Sequence, residues 1–291
     1  MKQLLILGAG FSGRAIAKAF MDTGAAVYGT TRSAEKADQL AGLGITPLLY
    51  DGETLSAEVE KAMAATTHLV QSIAPGALGD PMFRDEAPRL ETLFPALRWA
   101  AYLSTVGVYG DHKGNWVDET AELHPVSSRS VERVDAERRW LDWGRAQGLP
   151  VAVLRLSGIY GPGRNAFCNI AAGTARRLIK DGQVFNRIRV EDIGSAAVFL
   201  AERKLGGIFN ITDHEPGPPQ DVVAEAAALM GADMPPEIPF EMAELSPMAR
   251  SFWGENKRVS NRKIRDLGFR FRYPDYRQSL EQLWKSGIWR G

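Results

Sequence analysis

Apolar and polar positions follow two rhythms along the first half of the chain. Short, nearly unbroken apolar runs occupy residues 4–7, 26–30, 45–50, 68–72, 100–103 and 151–156. Between several of them lie longer stretches in which apolar residues recur every three or four positions: 14–20, 33–40, 55–64 and 129–147. The first set predicts strands and the second helices. Residues 82–99 also read as helical, with breaks at Pro88 and Pro95. Strands that keep alternating with helices predict an α/β fold, a doubly wound Rossmann-type parallel sheet with its ligand crevice at the carboxyl ends of the strands. The turns after Leu7, Thr30, Tyr50 and Ser72 all fall on that edge. Beyond Arg164 the alternation loosens, and a small C-terminal lobe is expected over the crevice.

The turn after the first run reads Gly8-Ala9-Gly10-Phe11-Ser12-Gly13. Gly8 suits a tight turn, Gly10 a close backbone approach to a pyrophosphate, and Gly13 a close helix-strand contact. The free amides of the following helix would face the anion, so Gly8, Gly10, Phe11, Ser12 and Gly13 are assigned to a dinucleotide. At the end of the second strand, Thr31-Arg32-Ser33 lacks the acid that usually takes the ribose hydroxyl of NAD. A guanidinium at Arg32 suits a 2′-phosphate instead, with Arg14 as a second contact, so NADP is expected ahead of NAD. Asp51, in the turn after the third strand, is placed near the adenine, and Ser72, Ile73, Ala74 and Pro75 near the ribose.

Length and charge add boundaries to this picture. The chain has 291 residues, long enough for one large domain and a secondary lobe. Its 35 basic and 35 acidic residues cancel, so a whole-molecule field for nucleic acid is not expected. The balance hides an acidic stretch at 213–249 and a basic one from Arg250 onward, which predicts two faces of opposite sign. The single cysteine, Cys168, excludes an intrachain disulfide and suits a reducing compartment. With no long apolar run and no leader pattern, a cytoplasmic protein without membrane contact is expected.

Four stretches taken together resemble the extended branch of the short-chain dehydrogenase/reductase superfamily, the NAD(P)-dependent epimerases and dehydratases. They are the glycine turn, residues 104–110 (Ser-Thr-Val-Gly-Val-Tyr-Gly), 154–164 and 190–196, followed by what looks like the family's return strand at 207–211 and helix at 219–230. The resemblance implies a dinucleotide-binding domain over 1–164, with 184–212 returning to it, and a substrate lobe made of 165–183 and 213–291, with a helix over 165–180. It implies a small polar substrate, anionic or nucleotide-linked, and a homodimer as a possible assembly. Thr105 matches the family's catalytic hydroxyl, with Ser104 beside it at the nicotinamide end, and Ser157 is counted with the cofactor contacts.

The family's proton relay is a Tyr-x-x-x-Lys pair on the helix after the fifth strand, and it is missing here. No Tyr lies between Tyr109 and Tyr160, and no Lys between Lys113 and Lys180. Counting back from Glu137, which matches an acid on the family's helix, places Arg129 at the Tyr position and Arg133 at the Lys position. Arginine stays charged and cannot act as a phenolic acid, although Arg133 could hold a ribose or phosphate. The extended branch also usually reads GxxGxxG, which would put a glycine at Leu7. Two readings therefore stand: an NADP-binding oxidoreductase or epimerase, and a dinucleotide-binding sensor without turnover.

Other residues are read blandly. Tyr109 and Tyr160 are expected to pack, Cys168 to be inert, and Asp118, Glu119 and Glu122 to be solvated. His68, His112, His124 and His214 show no metal-ligand spacing, so no metal is expected. From Arg250 on, basic residues interleave with Phe252, Trp253, Phe269, Phe271, Tyr273, Tyr276, Trp284 and Trp289. Such a mixture can clamp an anionic ring or single-stranded nucleic acid, or it can be core beside balancing charge.

Overall fold

The computed structural model describes residues 2–84 and 90–291, apart from the side chains of Pro247 and Met248. Its centre is a seven-stranded parallel sheet made of β1 (Gln3–Leu7), β2 (Ala26–Thr31), β3 (Thr46–Leu49), β4 (His68–Gln71), β5 (Trp99–Thr105), β7 (Val151–Leu156) and β11 (Gly207–Ile211). Short strands supply three two-stranded sheets: β6 (Trp116–Val117) with β13 (Arg258–Val259), β8 (Gly158–Tyr160) with β10 (Arg187–Arg189), and β9 (Arg177–Ile179) with β12 (Glu237–Pro239). The helices are α1 (Phe11–Met21), α2 (Ala34–Gly42), α3 (Ala57–Ala65), α4 (Leu90–Leu93), α5 (Ser128–Gln147), α6 (Ala166–Ala171), α7 (Val190–Glu202), α8 (Pro219–Met230), α9 (Pro247–Phe252), α10 (Arg262–Asp266) and α11 (Tyr276–Lys285).

Strand order in the large sheet is β11-β7-β5-β4-β1-β2-β3. The order reverses at β1, which pairs in parallel with both β2 and β4. Ligand crevices of such sheets open at this switch point, beyond the carboxyl ends of the two strands. Leu4, Leu5, Ile6 and Leu7 are all fully buried, which is why β1 reads as an unbroken run rather than an alternation.

The chain divides into two compact units, one of Met1–Val108, Pro125–Arg155 and Ile193–Phe209, the other of Tyr109–His124, Leu156–Asp192 and Asn210–Gly291. These bounds differ from those the resemblance implies. Residues 109–124, 156–164, 184–192 and 210–212 go with the second unit, where β6 pairs with β13 and β8 with β10. The first unit is held by Leu5, Leu7, Val59, Met63, Leu69, Tyr102, Trp140 and Val153, the second by Phe167, Ala226, Tyr276, Leu280, Leu283 and Trp289.

Two expected helices are mostly not helical. Among the described residues of 82–99, Asp80 caps a 3₁₀ turn at Pro81–Phe83, Arg84 is extended, and α-helix is found at Leu90–Leu93. Chain before a proline disfavours helical backbone, and α4 ends ahead of Pro95; Pro88 lies outside the described residues. Within 165–180, Asn165 caps α6 through the Cys168 amide, and Gly173 at φ +67° follows the helix end. Residues 177–179 then pair with Glu237–Pro239, a long-range contact that overrides local helix propensity.

Candidate functional site

The glycine turn sits at the switch point and opens onto a cleft of about 710 Å³ in the first unit. Gly8 adopts φ +85°, and a Cβ there would lie 3.0 Å from Ile73 Cγ1 and 3.2 Å from its amide nitrogen. Only glycine fits that backbone and that gap. At Gly10, by contrast, a Cβ would meet nothing within 4 Å. It would project into open space at the N-terminal end of α1, where the helix has no side-chain cap. Those first-turn amides, with the positive end of the helix dipole, form an anion site. Thr30 anchors the turn, since the Gly8 amide donates to its Oγ1 at 2.7 Å and the Ala9 amide to its carbonyl at 2.9 Å. Gly13 is buried behind the turn, where a Cβ would lie 3.1 Å from the Gly8 carbonyl oxygen.

Gly8, Gly10, Phe11, Thr31, Arg32, Ser33, Asp51, Ile73 and Ala74 line this cleft. Ser12, Ser72 and Pro75 are not among its lining residues. Three cations line it, Arg14, Arg32 and Lys36, against the single carboxylate of Asp51. All three cations are exposed, and among the described residues none has a side-chain hydrogen bond or ion pair. Lys36 was missed by sequence reasoning, as were Gln39, Leu40 and Tyr50. Lys36 left no distinct sequence signal, because Arg32 precedes the N-cap Ser33 and helical i,i+4 spacing does not pair the two. The Ser33 hydroxyl is already engaged as the N-cap of α2, accepting from the Lys36 amide. Asp51 accepts from the Glu53 and Thr54 amides at 2.8 and 3.1 Å, which holds its carboxyl below the usual range.

The wall at Ile73 rests on a buried network that the sequence did not reveal. The Ile73 amide donates to Gln71 Oε1 at 3.1 Å, and Gln71 Nε2 donates to Asp80 Oδ1 at 2.9 Å. Trp140 of α5 donates to Asp80 Oδ2 at 3.0 Å. Burial pushes the Asp80 carboxyl up, opposed by these donors.

At the junction of β5 and α5 the polar groups turn toward one another. Ser104 is buried and donates a short hydrogen bond to Glu137 Oε1. Arg155 meets the same carboxylate with Nη2 at 2.8 Å and Nε at 3.2 Å, in a pair whose side chains are 3% and 4% exposed. Arg133 donates from Nη1 to the Leu103 carbonyl at 2.7 Å. Thr105 Oγ1 accepts from the Gly107 amide at 3.1 Å. The structure thus brings Ser104 into a buried ion pair rather than into the cleft, and α5 carries Arg129 and Arg133.

Residues 95–212 match the family model of the NAD dependent epimerase/dehydratase family. The whole chain is similar to a functionally unknown conserved protein from Silicibacter pomeroyi DSS, with 42% identity, 99% of each chain covered and a TM-score of 0.88. It is similar to protein YeeZ of Escherichia coli K12, with 29% identity over 94% of this chain and 97% of that protein. It shares its fold with dTDP-glucose 4,6-dehydratase from Bacillus anthracis, solved in complex with NAD, at 17% identity, a TM-score of 0.76, and 98% and 96% of the two chains covered.

The remaining candidates lie in the second unit. Ser157 is buried, its hydroxyl donating to the Ile211 carbonyl at 3.4 Å. Tyr109 is fully buried and donates to Asn210 Oδ1 at 2.7 Å, and burial pushes the Tyr160 phenol up, both as packing residues would be. Cys168 Sγ donates to the Trp289 carbonyl. Glu119 departs from the solvated reading: it accepts from the Asn210 amide at 2.8 Å, and burial raises its pKa. Trp253, Phe269, Phe271, Tyr273, Tyr276 and Trp289 are buried, so most aromatics of the basic stretch are core. The acidic and basic stretches also meet directly in the Glu215–Arg277 pair, instead of forming wholly separate faces. Among the described residues no group of three or more His, Cys, Asp or Glu could hold a metal, and no helix is long and apolar enough to cross a membrane.

Proposed function

We propose that the protein binds NADP(H) and acts as an oxidoreductase or epimerase on a small polar substrate. The observation that carries this reading is the cleft at the glycine turn, where an uncapped helix start faces open space and three unpaired cations line the wall. The residues fit the group. The amides from Gly10 onward would take the pyrophosphate, Arg32 and Lys36 the 2′-phosphate, Ile73 and Ala74 the ribose side, and the turn at Asp51 the adenine. When bound, nicotinamide supplies hydride transfer. Thr105 is the hydroxyl that would orient a substrate oxygen, while Arg129 and Arg133 can hold negative charge and cannot pass on a proton. That last point favours a second reading, a sensor that binds the dinucleotide without turnover.

Titration of NADPH and NADH by nicotinamide fluorescence, followed by absorbance assays on aldehydes, ketones and nucleotide sugars, separates the readings. We expect NADPH to bind at least about ten-fold tighter than NADH, the scale of one charge-assisted contact, and at least one carbonyl compound to be turned over. Tight NADPH binding with no turnover on any of them selects the sensor. Failure to bind either nucleotide overturns both.

A further inference from the structure

The second unit contains a cavity of its own, about 370 Å³, whose walls include Trp116, Asp213, His214, Arg262, Arg265 and Asp266. Its size suits a small molecule. Trp116 is 61% exposed, whereas Trp99 and Trp140 are fully buried and Trp253 and Trp289 are 7% and 5% exposed. The place of Trp116 in the cavity wall leaves its indole available to pack on a flat ring. The β6–β13 ladder holds it there, with Arg258 opposite Trp116 and the Ser260 amide donating to the Val117 carbonyl at 2.8 Å.

The polar groups around the indole are specifically arranged. Arg262 is paired with Asp266 at 3.3 Å, and Arg258 donates to the Gly114 carbonyl. The Arg265 guanidinium has no side-chain partner among the described residues. Asn261 donates from Nδ2 to the Thr212 and Asp213 carbonyls at 2.8 and 3.1 Å, which fixes that atom as the amide nitrogen. The same nitrogen lies 2.8 Å from His214 Nδ1 and cannot accept, so its two hydrogens are shared among three acceptors, Nδ1 included, and the ring proton sits on Nε2. Burial and the nearby Arg265 charge hold the imidazole below its ordinary pKa, which keeps it a neutral N–H donor. Asp213 is buried, with Oδ1 accepting from the Glu215 amide and Oδ2 lacking a hydrogen-bond partner. Burial pushes that carboxyl well up, which weakens it as a repelling anion.

We propose that this cavity binds a small anion carried on a flat ring, an aromatic carboxylate or an aryl phosphate. Arg265 and His214 Nε2–H hold the anion, and Trp116 packs on the ring. The test is calorimetric titration of the full chain with benzoate, phenyl phosphate, acetate and inorganic phosphate. At least one ringed anion binds about ten-fold or more tighter than its ringless counterpart, and the stronger of the two identifies carboxylate or phosphate. Arg265→Gln weakens that binding about ten-fold, and Trp116→Ala removes the preference for the ring. Both side chains are exposed, and unchanged thermal melting with an unchanged NADPH titration verifies that each variant is folded. The proposal is overturned if no compound binds below about 10 mM, if both variants bind as the parent does, or if Arg32→Ala, at the glycine-turn cleft, abolishes binding instead.

Discussion

The cleft at the glycine turn and the junction of β5 with α5 belong to the same unit, yet they treat their charges in opposite ways. At the cleft, Arg14, Arg32 and Lys36 are exposed without side-chain partners among the described residues. At the junction, Ser104, Glu137 and Arg155 satisfy one another out of water, and Arg133 is tied to a backbone carbonyl. Unpaired cations at a concave surface repel one another and add little to stability, so their arrangement makes sense as a place for an anion. A buried, hydrogen-bonded ion pair has no such freedom, because opening it would strand a charge in low dielectric. At the second region this protein shows an internal structural network.

The comparison breaks first at Glu137. Glu137→Ala should destabilise the fold by about 3 to 5 kcal/mol, the cost of breaking a buried ion pair by removing its carboxylate, as read from chemical denaturation. A variant that keeps its denaturation midpoint but loses activity would make the network functional rather than structural. Next comes the cleft: Arg32→Ala and Lys36→Ala should each weaken NADPH about ten-fold, and together about a hundred-fold, with little effect on NADH and on melting temperature. Equal losses for both nucleotides would remove the 2′-phosphate assignment. The smallest effect is expected at Ser33, whose hydroxyl caps α2. Ser33→Ala should reduce stability by about 1 kcal/mol and change the NADPH-to-NADH ratio less than either cation does, as measured by the same melts and titrations. A larger change in that ratio than in stability would make Ser33 a phosphate ligand first and a cap second.

Much of the first region could be read from the chain because its signals are local. Gly8, Gly10 and Gly13 lie within six residues, and the backbone demands that select them are met inside one strand-turn-helix unit. Lys36 left no trace of its role, because a lysine on a polar helix is ordinarily only solvated. The network around Ser104 left none either. Its partners lie 33 and 51 positions away in sequence, on α5 and β7, and nothing around Ser104 says whether its hydroxyl faces a ligand or a carboxylate. The helices expected over 82–99 and 165–180 failed for a related reason. Asp80 is drawn into a network with Gln71 and Trp140, and residues 177–179 find a strand partner at 237–239.

By itself, then, the sequence determined the parallel sheet, the glycine turn at its switch point and the arginine at the end of β2, all of them consequences of apolar periodicity and backbone sterics over short distances. The tertiary structure alone decided which polar side chains face a cavity and which face each other. That choice depends on what packs against each residue from remote parts of the chain, because the cost of an unpaired buried charge is set by the whole surrounding fold and not by its neighbours in sequence.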